Sequence, residues 1–225
     1  MDKRDKAEYI NRYERRLKLF GYSPATLGWG KGGRQEVRFS VLAQPIIENP
    51  DSTVLDVGCG FADFYSFLKN HGWNGSYCGI DIVPGLLKIA KERFPHLDLL
   101  ELDITSQELI SDRYDYVVGS GLFNSKLRFQ NNLQYIQQVL NNMLSLSRIA
   151  VCVDFMSSYV DFQHKQSWHT DPGWVFAIAT KMSRRIALRH DYMPYEFVLF
   201  IFRNDSISPS NIFQSFDYEV NAVED

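Results

Sequence analysis

The chain reads as an α/β protein: a mostly parallel seven-stranded sheet with helices on both faces, a closing antiparallel hairpin and an N-terminal helical lid. Three observations carry this. Short apolar runs alternate with helix-period segments between residues 53 and 154, the pattern of strands joined by helical crossovers. Near the end, the runs 185–190 and 196–203 are separated by residues 191–195 alone; that link permits a hairpin, whereas a parallel crossover needs a dozen or more residues. The stretch TVLDVGCGFAD (53–63) passes from β-branched and apolar residues into Gly58-Cys59-Gly60 and then into helical spacing. Such a strand, glycine turn and helix form a ligand-holding corner.

The 225 residues, 45% hydrophobic and 14% aromatic, suffice for one sizeable core. A net charge of −3 and a sequence pI of about 6.0 leave no bulk electrostatic footprint for nucleic acid. The start, MDKRDKAEYI, has no apolar leader region, and no apolar run reaches the ~18 residues of a membrane span. Cys59, Cys78 and Cys152 fall in predicted strands or the glycine turn. Buried reduced thiols suit a reducing compartment, so the expected location is cytoplasmic.

In order, Tyr9, Ile10, Tyr13, Leu17 and Phe20 form one apolar helix face opposite mixed charges, and Gly21 and Pro24 end the helix. A glycine-rich loop, LGWGKGGRQ (27–35), carries Trp29, Lys31 and Arg34, and a second helix is expected over 34–47. Residues 1–50 thus read as a helical cap, 51–203 as the ligand-binding domain and 204–225 as a polar tail. Ile212, Phe213 and Phe216 in that tail leave docking, or a homodimer, open.

Strands are expected at 53–57, 76–80, 97–102, 114–118 and 148–154, with helices at 62–71, 84–94, around Leu133 to Leu144, and at 172–182. The odd residue is Asp56, a carboxylate at the tip of a strand buried on both faces. It repels a nucleotide pyrophosphate and welcomes a cation. The GxGxxG fingerprint of dinucleotide binding would need glycine at 63, where Asp63 stands.

Four strand ends in sequence carry a resemblance: VLDVGCG (54–60), GIDI (79–82), ELDI (101–104) and VVGSGLFN (117–124). From about residue 53 to 203 the chain resembles the class I S-adenosylmethionine (SAM)-dependent methyltransferases. It departs where the family's glycine loop often has a third glycine, here Ala62. The resemblance implies SAM as cofactor, its amino-acid end at Asp56, Gly58 and Gly60 and its ribose at Asp81. Ile82 would cover the adenine, Asp103 and Ile104 would meet its edge, and Gly119 and Ser120 would line the floor where the methyl group leaves.

Methyl transfer from a sulfonium is an in-line displacement, and a base is needed when the acceptor must lose a proton. His169 and His190 are the candidates, with His164 a weaker third. Trp29, Lys31 and Arg34 are the candidate acceptor-binding residues on a mobile lid. With Arg38, Lys126, Arg128 and Lys165 expected at the same edge, they suggest a carboxylate- or phosphate-bearing acceptor. The expected activity is methylation of an oxygen or nitrogen of such a small molecule, with no membrane partner. The alternatives are a non-catalytic SAM-binding partner subunit, or an RNA or protein methyltransferase. Against nucleic acid stand the acidic pI, GSGLFN in place of an Asn/Asp-Pro-Pro-Tyr/Phe motif, and the lack of a Pro-Cys dipeptide. No metal is expected, since Gly119 stands where a catechol-type site would need a carboxylate.

Overall fold

The computed structural model describes residues 1–29, 34–106 and 113–204. Lys31 and nearly all of the 204–225 tail lie outside the described residues. Four helices come first: α1 (Lys3–Phe20), α2 (Pro24–Leu27), α3 (Arg34–Leu42) and α4 (Gln44–Ile47). Then follow β1 (Val54–Val57), α5 (Asp63–Asn70), β2 (Tyr77–Asp81), α6 (Pro84–Arg93) and β3 (Asp98–Glu101). The remainder is β4 (Tyr114–Gly119), α7 (Asn132–Leu146), β5 (Ser147–Met156), α8 (Pro172–Ala179), β6 (Ile186–Met193) and β7 (Glu196–Phe202).

The sheet order is β3-β2-β1-β4-β5-β7-β6. β1 to β5 pair in parallel, and β7 runs antiparallel to both β5 and β6. The chain winds outward from β1 to β3 and then crosses back to β4. That reversal opens a crevice above the carboxyl ends of β1 and β4, where ligands of open α/β sheets bind.

Alternate strand residues divide between two apolar layers. Leu55, Val57, Val151 and Val153 pack with α7 and α8 through residues such as Ile136, Leu140 and Val175. Val54, Val118, Ala150 and Cys152 pack on the other face with Leu42, Phe64, Leu68 and Leu87. All three cysteines are buried and free. Among the described residues no helix is long and apolar enough to cross a membrane.

Two expectations change. The helix expected over 34–47 breaks at Ala43 into α3 and α4, because Pro45 has no N–H to continue the ladder. The hairpin link shortens to Pro194-Tyr195, since β6 continues to Met193.

α1 lies across the carboxyl edge of the sheet. Its apolar face, with Tyr9, Ile10, Tyr13 and Leu17, covers Phe61, Val83 and Leu86. Two of its acids fasten it. Asp5, 4% exposed, accepts from the backbone N–H groups of Arg128, Phe129 and Gln130 at 2.8, 3.1 and 2.9 Å. Glu14 accepts from the Gly85 N–H at 2.8 Å in the first turn of α6, where a carboxylate also meets the positive end of the helix dipole.

Candidate active site

The turn after β1 is set by backbone conformation. Gly58 and Gly60 have φ of 73° and 54°, and Ala62, before α5, has 58°. Ala62 therefore occupies a left-handed position that a third glycine would take freely, at a cost of about 1 kcal/mol. Asp81 at the end of β2 holds this turn. Its Oδ2 accepts from the Gly60 N–H at 2.8 Å and its Oδ1 from the Val83 N–H at 2.9 Å. Burial raises its pKa despite both bonds.

Asp56 is buried and accepts from the Tyr77 hydroxyl at 2.6 Å. Burial pushes it up to about 7, against the pull of Tyr77, and the charges of Asp81, Asp63 and Asp154 push the same way. Asp103 behaves differently. Burial would raise it, but donors from Thr105 and the positive charges of the Met1 ammonium and Lys6 hold it below the usual carboxylate value.

On the far side of the crevice, Arg38 of α3 meets Glu196 of β7 in a bidentate ion pair through Nε and Nη2. Both residues are buried. The Trp29 ring lies 4.2 Å from the Arg38 guanidinium carbon, and its edge rests on Gly121, where a Cβ would come within 2.5 Å of the ring. Among the described residues, Arg38 Nη1, Trp29 Nε1 and the Tyr192 hydroxyl are buried without a hydrogen-bond partner. Asp154, near the end of β5, accepts from Ser120 Oγ and from the Gly121 N–H, each at 2.6 Å.

A cavity of about 440 Å³ runs between the strand-end acids and the Arg38–Glu196 pair. Asp56, Gly58, Gly60, Asp81, Ile82, Asp103, Ile104 and Ser120 line it, and so do Trp29 and Arg34. Gly119 lies in β4, one residue below the lining Ser120 and Gly121. The structure does not bring His169 and His190 to the cavity wall. They meet at Ser157 instead: His169 Nδ1 is 2.9 Å from the Ser157 carbonyl oxygen, and His190 Nε2 is 2.9 Å from its hydroxyl. His164 lines the cavity.

Sequence reasoning missed Asp154, Glu196 and Tyr77. Asp154 continues the series of strand-end acids begun by Asp56, Asp81 and Asp103. Glu196 begins an antiparallel strand, and the first residue of such a strand sits at the same edge as the last residues of its parallel neighbours; it pairs with Met156. Tyr77 carried no local signal, because its reach to Asp56 depends on the register of β2 against β1.

Comparison with known proteins agrees with this architecture. Residues 54–145 match the model of a methyltransferase domain family. Over 154 residues the chain is 28% identical to Rv1506c of Mycobacterium tuberculosis, whose name as a methyltransferase is provisional. The match covers 66% of this chain and 92% of that one. The chain spans 25–28% of the length of three further curated relatives. Among solved structures, the magnesium protoporphyrin IX methyltransferase of Synechocystis with bound S-adenosylhomocysteine (SAH) aligns with a TM-score of 0.64 at 15% identity. That alignment covers 89% of this chain and 100% of that one. The N-methyltransferase NodS of Bradyrhizobium japonicum, also with SAH, aligns with a TM-score of 0.63 at 16% identity, covering 88% and 98%. The methyltransferase-domain match over residues 54–145 and a fold shared over most of the chain with solved methyltransferases that hold SAH support a class I SAM-dependent methyltransferase, and are consistent with SAM as its cofactor.

Proposed function

We propose that this enzyme transfers the methyl group of SAM to an oxygen or nitrogen of a small metabolite bearing an anionic group. The observation that carries the reading is the continuous cavity of about 440 Å³ whose lining runs from Asp81 and Asp103 to Arg12, Arg34 and Arg38. Its size is that of a small-molecule site. The magnesium protoporphyrin IX named for one structural neighbour is in keeping with an acceptor of that class.

The residues fit the cofactor. Asp56, beside the open turn of Gly58 and Gly60, offers a carboxylate to the ammonium of the amino-acid end. Asp81 spends one lone pair per oxygen on the turn and keeps the others for ribose hydroxyls. Ile82 and Ile104 supply apolar walls for adenine, and Asp103 an acceptor for its amino group. When bound, the cofactor supplies an electrophilic methyl on a sulfonium. The protein's part is to hold the acceptor in line and keep water out.

Charge sorts along the cavity. The strand ends are acidic, and Arg38 gives Nε and Nη2 to Glu196, so Arg34, Arg12, Arg16 and Arg38 Nη1, unpartnered among the described residues, are the guanidinium groups that would meet an anionic group. His164 is the histidine placed to take a proton from an oxygen acceptor. His169 and His190 act as positioning residues, bracing through Ser157 the segment that carries His164.

A mass-shift screen of carboxylic acids, phosphates and amines with purified protein and SAM tests the reading. Methylated anionic metabolites are expected, with turnover lowered selectively by Arg34→Ala. Methylation of RNA or of a protein, and of no small molecule, would overturn it.

A further inference from the structure

Beneath Ser120 and Gly121, at the floor of the cavity, the Asp154 side chain belongs to a residue only 1% exposed. Its two hydrogen-bond donors, the Ser120 hydroxyl and the Gly121 N–H, are neutral. Among the described residues no cation forms an ion pair with it. Arg38 of α3 is the cation that faces it, and that guanidinium is held by Glu196 of β7. The other groups facing it are Asp56 on β1 and the Tyr192 hydroxyl on β6, which add no positive charge. Burial accordingly pushes Asp154 up to about 6, with Arg38 drawing it down and Glu196 pushing it up. A buried carboxylate is expensive without a counter-charge. This one stands behind Ser120, which lines the same cavity as Asp56 and Gly58.

We propose that Asp154 is the counter-charge of the cofactor's sulfonium, so that the site binds SAM in preference to SAH and loosens its product once the methyl group has gone. The inference rests on the cofactor placement given above. SAM and SAH share the adenine, ribose, ammonium and carboxylate, and differ by one methyl group and one positive charge. Asp56, Asp81 and Asp103 serve the shared parts and treat the two ligands alike. A carboxylate at the ends of β4 and β5, where the sulfur lies in this placement, tells them apart. Because water is excluded around Asp154, its field is weakly screened. It is a specificity-determining residue that acts across Ser120 and Gly121.

Calorimetry with SAM, SAH and sinefungin, whose ammonium replaces the methylsulfonium, tests this on the wild type and on Asp154→Asn. The wild type is expected to favour both cationic ligands over SAH, and that preference should shrink between about pH 7.5 and about pH 5.5 as Asp154 takes up a proton. Asp154→Asn should weaken SAM and sinefungin by roughly ten-fold, the low end for one nearby opposite charge, and leave SAH little changed. Retained SAH binding also shows that the variant is folded. An unchanged SAM-to-SAH ratio in the variant, or a loss confined to SAM, overturns the proposal. If the variant does not fold, the wild type decides: a ratio flat across that pH range overturns it. Failure of all three ligands to bind the wild type instead defeats the cofactor placement, and this inference with it.

Discussion

The two ends of the cavity are built from different kinds of sequence. At the proposed cofactor end the acids stand at or just past strand ends, and Asp81 and Asp103 each take a donor from two residues on, Val83 and Thr105. At the other end the partners are scattered. Arg38 and Glu196 are 158 residues apart, and the Trp29 ring that stacks on that guanidinium rests on Gly121. A ligand common to a whole family can be held by local, repeating corners. A ligand particular to one enzyme is met where distant segments close on each other.

The strongest way to break this comparison is to remove the long-range closure. Arg38→Met leaves Glu196 charged, buried and unpaired, and should cost about 3–5 kcal/mol of stability in denaturant unfolding. Pairing it with Glu196→Leu should recover most of that loss. A single variant as stable as wild type would mean that the acceptor end does not depend on this pair.

Removing a local corner should act on binding. Asp81→Ala frees the Gly60 and Val83 N–H groups and takes away the proposed ribose acceptor. Bonds to a charged group are worth about 1.5–3 kcal/mol, so SAH affinity in calorimetry should fall by at least roughly ten-fold. Equal affinity in the variant would sink the ribose assignment.

A pH titration sharpens the contrast in charge. Asp56, Asp81 and Asp154 all have pKa values raised by burial, so the folded protein holds their protons to a higher pH than the unfolded chain. Their contribution to stability is complete below the ordinary carboxylate value and is lost as pH rises through about 6 and about 7 for Asp154 and Asp56. Thermal melts of the cofactor-free protein should therefore show a falling midpoint across that window, and saturating SAM should flatten the fall. A midpoint that rises through it would contradict the burial of these acids.

The smallest effect belongs to the glycine turn. Ala62→Gly relieves a left-handed alanine but adds freedom to the unfolded chain, for a net gain of about 0.5 kcal/mol. A loss of stability would show that the Ala62 methyl group packs better than its backbone costs.

The same division explains what could be read in advance. The seven strands, their parallel sense, the closing hairpin and the corners at Asp56, Asp81 and Asp103 follow from periodicity, glycine and strand-end chemistry, all of which act over a few residues. The break at Ala43 was written locally too, in Pro45, though the apolar spacing on either side obscured it. The Arg38–Glu196 pair was not legible, because an exposed-looking arginine and a strand-initial glutamate acquire their meaning only from tertiary packing. The histidines were misleading for a related reason. His169 and His190 are far apart in sequence and converge on Ser157 rather than on the cavity.

The fastening of α1 has a consequence for how freely this protein can vary. Asp5 and Glu14 grip backbone N–H groups, much as an anion sits in a loop or at the head of a helix. The receiving surfaces at 128–130 therefore place little demand on side-chain identity, and those positions can drift while the latch persists. Position 85 is the exception, since a Cβ there would stand 2.6 Å from a Glu14 carboxylate oxygen. Of the two seats that hold the helix down, one tolerates almost any residue, and at the other any side chain makes the Glu14 carboxylate shift.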